Sequence, residues 1–159
     1  MLMYYFDNPC EELFKDRIVC VDGDITSKEQ VESFAAYKFQ TLINCAACVK
    51  HFAAGDVLEK INVHGVENLI DFCKNNGRRL IQISTVSVAG EGSEGIPPKD
   101  RVFCENDLYI GQSITNEYIR TKFLAERAVL EAVSGGLDAK SEKMIQARTI
   151  IAPSSSTAQ

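Results

Sequence analysis

Apolar residues gather in three short runs, separated by stretches in which they recur at helical spacing. Arg17-Ile18-Val19-Cys20-Val21-Asp22-Gly23-Asp24 is β-branched and ends in a turn signal, which predicts a strand. Thr26 or Ser27 then caps a helix, with Glu29 or Gln30 near its third position, and that helix runs to about Ala36. Thr41-Leu42-Ile43-Asn44-Cys45-Ala46-Ala47 is the second run; its continuous apolar character suits a parallel strand covered on both faces. From about Asp56 to Lys74, Leu58, Ile61, Gly65, Leu69 and Cys73, with Val66 and Ile70 beside them, make a stripe of helical period. Asn75-Asn76-Gly77 stops that helix. Leu80-Ile81-Gln82-Ile83-Ser84 is the third strand. Residues 91–114 hold three glycines and two prolines and read as a long loop, a kind of segment that is usually functional in a compact domain. A last helix runs from about Thr115 to Val133, closed by Gly135-Gly136.

The order β-α-β-α-β-α predicts an α/β fold with parallel strands and right-handed crossovers. Residues 1–140 form one domain in this reading. Residues 141–159, ending in Pro153-Ser154-Ser155-Ser156-Thr157, read as an irregular tail.

Composition narrows the partners. The chain has 159 residues and a net charge of -5, which argues against nucleic acid or an anionic membrane as partner. No apolar run approaches the ~20 residues that span a bilayer, and the first residues lack the basic and apolar regions of a secretory signal. A cytoplasmic protein is expected. Its six cysteines are then read as reduced and mostly buried. Cys45 and Cys48 have C-x-x-C spacing, but no second pair or histidine cluster completes a zinc site, so ordinary packing is the expectation. His51 and His64 read as structural or surface residues.

The chemistry concentrates in two places. Tyr118 and Lys122 stand four apart on a helix, hence on one face. Thr85 follows the third strand. Together they offer a phenol, an ammonium and a hydroxyl to a carbonyl oxygen. A free tyrosine has a pKa of about 10, and a neighbouring lysine cation is expected to lower it toward the range where it trades protons. A Tyr-Lys pair at this spacing is also a common helix-surface pair, and Thr85 is equally a plain strand-end residue.

The pattern resembles the extended short-chain dehydrogenase/reductase superfamily. Gly23-Asp24-Ile25 is similar to the turn whose Asp meets the cofactor adenine. Asn44-Cys45-Ala46-Ala47 is similar to the strand end beside the cofactor. Asn62-Val63-His64-Gly65-Val66-Glu67-Asn68-Leu69 resembles the helix carrying a structural Asn, and Ser84-Thr85 with Tyr118 and Lys122 resembles the catalytic centre. Within the superfamily, Ile83 to Gly90, Tyr109-Ile110-Gly111-Gln112 and Tyr118 to Glu126 look most like NADPH-dependent thioester reductases, the terminal domains of nonribosomal peptide synthetases and their carboxylic acid and fatty acyl relatives. Ala89, where epimerases usually carry an aromatic, favours that branch.

The resemblance implies a parallel, doubly wound Rossmann-like sheet. It implies hydride transfer from NADPH, or alternatively NAD chemistry, to an acyl or peptidyl thioester on a carrier protein, giving an aldehyde or alcohol. Thr85, Tyr118, Lys122 and Asn62 would be catalytic. Asp24, Ile25, Asn44, Ala46, Ala47, Tyr118 and Lys122 would bind the cofactor, with Lys122 on the nicotinamide ribose and Asn62 orienting Lys122 through water. Asn62 reads equally as a solvent-facing residue and Asp24 as a turn former.

The family's Gly-rich phosphate-binding turn after a first strand has no counterpart here; Gly90, Gly92 and Gly95 lie after the third strand. An internal fragment is therefore expected, lacking the first βαβ unit of roughly 30 residues and the C-terminal substrate lobe. Such a chain would have little activity and an exposed sheet edge open to self-association. Two alternatives remain: an epimerase/dehydratase-type enzyme of the same superfamily, or a non-catalytic scaffold or protein-binding module.

Overall fold

The computed structural model describes residues 18–49, 56–90 and 103–144. Elements are numbered within those residues. Helix α1 (Lys28–Ser33) is capped by Ser27, whose side chain accepts from the Gln30 N–H, and continues as a 3₁₀ turn over Phe34–Ala36. Strand β1 is Thr41–Asn44. The expected long helix is built in three parts: α2 (Val57–Glu59), a π-helical turn over Lys60–His64, and α3 (Gly65–Asn76). Gly77, with φ of 59°, closes α3 in the left-handed conformation that glycine tolerates best. Strand β2 is Arg79–Thr85, followed by a 3₁₀ turn over Val86–Ala89. Helix α4 is Glu117–Ser134, capped by the Asn116 side chain, and strand β3 is Ala139–Met144.

All three strands are parallel, in the order β1-β2-β3. Thr41 to Asn44 pair with Arg79 to Gln82, and Leu80 to Thr85 pair with Ala139 to Met144. The fold is an incomplete, Rossmann-like α/β arrangement, as its element order predicts. Two right-handed crossovers stepping the same way across a sheet place their helices on the same face. The core follows: Val66, Leu69, Phe72 and Cys73 of α3 and Ala125, Val129 and Ala132 of α4 pack with Leu80 of β2 and Val31 of α1. On the other face Ile43 is 60% exposed, so the covering of both faces expected for the second strand is not met among the described residues.

Two expectations change. Residues 18–24 are irregular rather than a strand. Strand geometry needs a paired neighbour, and none stands beside this segment among the described residues, leaving Val19 75% exposed. In the opposite sense, the tail expected from Ser141 begins as a strand, since β3 runs to Met144 and pairs along β2. Residues 145–159, the first 17 residues (with Cys10), His51 and residues 91–102 of the loop after Gly90 lie outside the described residues. The thiols also differ from expectation: Cys73 is buried, with its pKa pushed up to about 11 by burial, while Cys20, Cys45 and Cys104 are exposed. Among the described residues no cluster could hold a metal ion, and no helix is long and apolar enough to cross a membrane.

Candidate active site at the carboxyl ends of the strands

Parallel α/β sheets bind ligands beyond the carboxyl ends of their strands. Here β1 ends at Asn44 and β2 at Thr85, and the segments that follow them meet the start of α1 and the N-terminal part of α4. A cleft of about 630 Å³ opens at this end, lined by Asp24, Ile25, Cys45, Ala46, Ala47 and Ile61 among others. Four of the residues expected to touch a cofactor thus share one wall.

Each is held differently. The Asp24 carboxylate accepts from the Thr26 N–H at 2.8 Å, and the Asp24 N–H donates to Gln30 Oε1 at 2.9 Å. That hydrogen bond keeps the exposed carboxylate below its usual range. The turn-former reading of Asp24 is therefore met, and the residue also faces the cleft. The Ile25 carbonyl accepts from Asn68 Nδ2 at 2.9 Å, and its side chain lies on Gly65. Asn44 is spent inside the protein: 4% exposed, it donates to Gln82 Oε1 at 2.8 Å and accepts from the Ala46 N–H at 3.0 Å. It shapes the start of the Cys45–Cys48 loop.

Gly65 gives a direct test of this wall. A Cβ there would stand 2.7 Å from Ile25 Cδ1 and 2.8 Å from Cγ1. Gly65→Ala is expected to cost about 1–3 kcal/mol through overpacking and to push Ile25 into the cleft. Urea unfolding measures the first effect; a stability equal to wild type would show that Ile25 yields freely.

Asn62 sits within the π-helical turn, a geometry frequent at functional sites. It is 1% exposed, so it is not a solvent-facing residue. Its Oδ1 accepts from the Cys48 N–H at 2.7 Å, and its Nδ2 donates to the Cys48 carbonyl and to Thr121 Oγ1, both at 3.0 Å. Thr121 Oγ1 donates in turn to the Tyr118 carbonyl at 2.8 Å. Asn62 therefore ties the cleft loop to the first turn of α4, at the residue before Lys122.

Lys122 is 4% exposed and donates to the Ile83 carbonyl at 2.8 Å, which joins α4 to β2 just before Thr85. Burial pulls its pKa down, opposed by the charges of Glu126 and Cys45. Tyr118 is half-buried, and burial pushes its phenol up. The lowered phenol expected from Lys122 is not met: burial penalises the phenolate and raises it. The Thr85 hydroxyl donates to Ser87 Oγ and accepts from the Ser87 N–H, each at 3.2 Å, capping the 3₁₀ turn. His64 pairs with Glu67 at 2.8 Å on the helix surface. Thr121, Gln82 and Glu126 were not singled out from sequence. Glu126 had a signal, since it continues the four-residue spacing of Tyr118 and Lys122.

Residues 3–156 match the model of the family described as Male sterility protein. The chain belongs to this family. It is thereby a member of the extended short-chain dehydrogenases/reductases, a group of NAD(P)-dependent reductases and dehydrogenases with an NAD(P)-binding domain. Among solved structures, the family member is 38% identical to a thiolation-reductase di-domain from an archaeal non-ribosomal peptide synthetase, with a TM-score of 0.75 over 87% of this chain and 30% of that one. It is 34% identical to the Aureusimine biosynthetic cluster reductase domain, with a TM-score of 0.56 over 80% of this chain and 29% of that one. It is also 30% identical over 126 residues to 3 beta-hydroxysteroid dehydrogenase type 7 of Rattus norvegicus, covering 73% of this chain and 34% of that protein. The chain thus spans about a third of the length of the curated relatives it matches.

Proposed function

We propose that this chain carries the catalytic centre of an NADPH-dependent reductase of carrier-bound acyl or peptidyl thioesters. The observation that supports it most is the 38% identity to the thiolation-reductase di-domain, over a fold in which Lys122, one turn beyond Tyr118 on α4, bonds the Ile83 carbonyl near the end of β2. The cleft fits the adenosine half of a dinucleotide: apolar Ile25, Ala46 and Ala47 for a ring, and the Asp24 carboxylate as a hydrogen-bond acceptor. Tyr118, Lys122 and Thr85 suit the nicotinamide end. Among the described residues no glycine-rich turn leads from a strand into a helix to receive the pyrophosphate.

When bound, NADPH supplies the hydride. The protein's residues do the rest. Tyr118 donates its proton to the oxygen of the thioester carbonyl as charge builds there, and the Thr85 hydroxyl turns from Ser87 to hydrogen-bond the same oxygen. Lys122 spends one of its three donors on Ile83 and has others for the nicotinamide ribose. Asn62 holds the first turn of α4 in place through Thr121. Collapse of the tetrahedral adduct expels the carrier thiol and leaves an aldehyde; a second hydride gives the alcohol.

Identity to a 3 beta-hydroxysteroid dehydrogenase favours a second reading, oxidation of a ring alcohol with NAD. Titrating NADPH and NADH while following thermal unfolding separates the two. A ligand at a hundred times its dissociation constant adds about 2.7 kcal/mol. In the proposed reading the 159-residue chain binds weakly, so a graded upward shift at millimolar NADPH, larger than with NADH, accompanies slow aldehyde formation from an acyl thioester. A folded chain unmoved by either nucleotide sinks the proposal; stabilisation by NADH with consumption of a sterol alcohol transfers it to the second reading.

A further inference from the structure

Beneath the end of β2 lies a buried charge cluster for which the reaction above has no use. Glu126 stands one turn beyond Lys122 on α4 and is 1% exposed. Its Oε2 lies 3.3 Å from Nζ of Lys143 on β3, whose side chain is 4% exposed. Its Oε1 and the buried Ser84 Oγ on β2 make no hydrogen bond of ordinary geometry among the described residues, though the Ser84 hydroxyl lies near enough to favour the Glu126 carboxylate. Lys143 also donates to the main-chain carbonyl of Glu105, and its Nζ lies 5.3 Å from the centre of the Phe103 ring.

Burying charges costs hydration, which close pairing and hydrogen bonds must offset. Two buried ammonium groups, Lys122 and Lys143, come into this region from two elements. Among the described residues Lys122 donates to a neutral carbonyl, that of Ile83. The groups that face it are Glu126 from its own helix and Cys45 from the cleft loop; Glu126 in turn meets Lys143 and, beyond it, Glu105. The Glu126 carboxylate stands one helical turn from Lys122 on the same face; burial pushes its pKa up, and the Ser84 hydroxyl and the Lys143 ammonium work against that rise.

We propose that Glu126 is a positioning residue. Its carboxylate, clamped by Lys143 of β3, holds the ammonium of Lys122 charged and seated against the Ile83 carbonyl. The position of Lys122 is then set from α4, β2 and β3 together. The inference rests on the reading of Tyr118 and Lys122 as the reacting pair, and it deepens that reading.

The test is a lysine titration by NMR on the intact chain without nucleotide, the Lys122 resonance being assigned by its loss in Lys122→Arg. Glu126→Gln keeps the shape and removes the charge. It is expected to lower the pH at which Lys122 loses its proton by about one unit, a tenfold change in that equilibrium. Lys28 and Lys38 on the surface stay put, and Glu126→Asp restores most of the shift. A folded Glu126→Gln chain whose Lys122 titrates as in wild type overturns the proposal, as does failure of Glu126→Asp to restore it. Should Glu126→Gln not fold, the wild-type chain decides. Its Lys122 resonance must move a second time, on the acid side, as Glu126 takes up its proton, and a flat resonance there overturns the proposal. NADPH plays no part in these measurements. A chain that fails to bind NADPH but shows the coupling loses the proposed function alone, and one that binds NADPH without the coupling loses this inference alone.

Discussion

Truncating Phe72 to Ala is expected to cost about 3–5 kcal/mol of folding stability. Phe72 is wholly buried in α3. Its ring meets Phe34 edge-on at 6.2 Å and stacks on Phe39 at 6.1 Å. Those two aromatics come from the 3₁₀ turn after α1 and from the approach to β1, so one side chain ties α3 to a stretch more than thirty residues earlier in the sequence. The Phe39 ring is covered on its other side by the Arg78 guanidinium at 5.1 Å, which limits how far Phe39 can collapse into a void. A domain stable by roughly 5–15 kcal/mol would lose a large part of its margin. The urea midpoint followed by circular dichroism measures the loss, with Phe72→Leu expected at less than half of it. A cost below about 1 kcal/mol would mean that the aromatic cluster is not packed as described.

Tyr118→Phe is expected to slow hydride transfer by about 10²–10⁴-fold while leaving the thermal shift with NADPH unchanged. The substitution removes one oxygen and keeps the ring. Because burial pushes the phenol up, Tyr118 is protonated at neutral pH and ready to donate. Reduction by the wild-type protein should therefore hold steady through neutral pH and fall as pH rises through the phenol's raised value, and the Phe variant should lack that fall. Single-turnover decay of NADPH absorbance reads both effects. A loss under threefold would remove Tyr118 from the proton transfer, whatever the fate of the cofactor reading.

The helices were legible because their signals are local. Ser27 caps α1, Asn116 caps α4 and Gly77 closes α3, each within a residue or two of where the chain's punctuation puts it. Strands were read less well because pairing is not local. Ile18 to Val21 has strand composition and no neighbour to bond among the described residues, whereas Ala139 to Met144 has the composition of a loop and becomes a strand by lying along β2. The site divides in the same way. Tyr118, Lys122 and Thr85 could be found by spacing and type. The roles of Asn44 and Asn62 as internal ties could not, since their partners Gln82, Cys48 and Thr121 are up to 59 residues away in the sequence.

The π-helical turn over Lys60–His64 has a consequence for how this region tolerates change in length. A π turn is an α-helix carrying one surplus residue, and the surplus is absorbed where Asn62 reaches both Cys48 and Thr121. Removing that one residue between Glu59 and Gly65 would let the helix regularise with α2 and α3 still in line, so the buried Leu58 and Leu69 would keep their places. The deletion would instead remove the bulge that carries the Asn62 amide to Cys48 and Thr121. The surplus residue is thus dispensable to the helix and needed by the cleft wall.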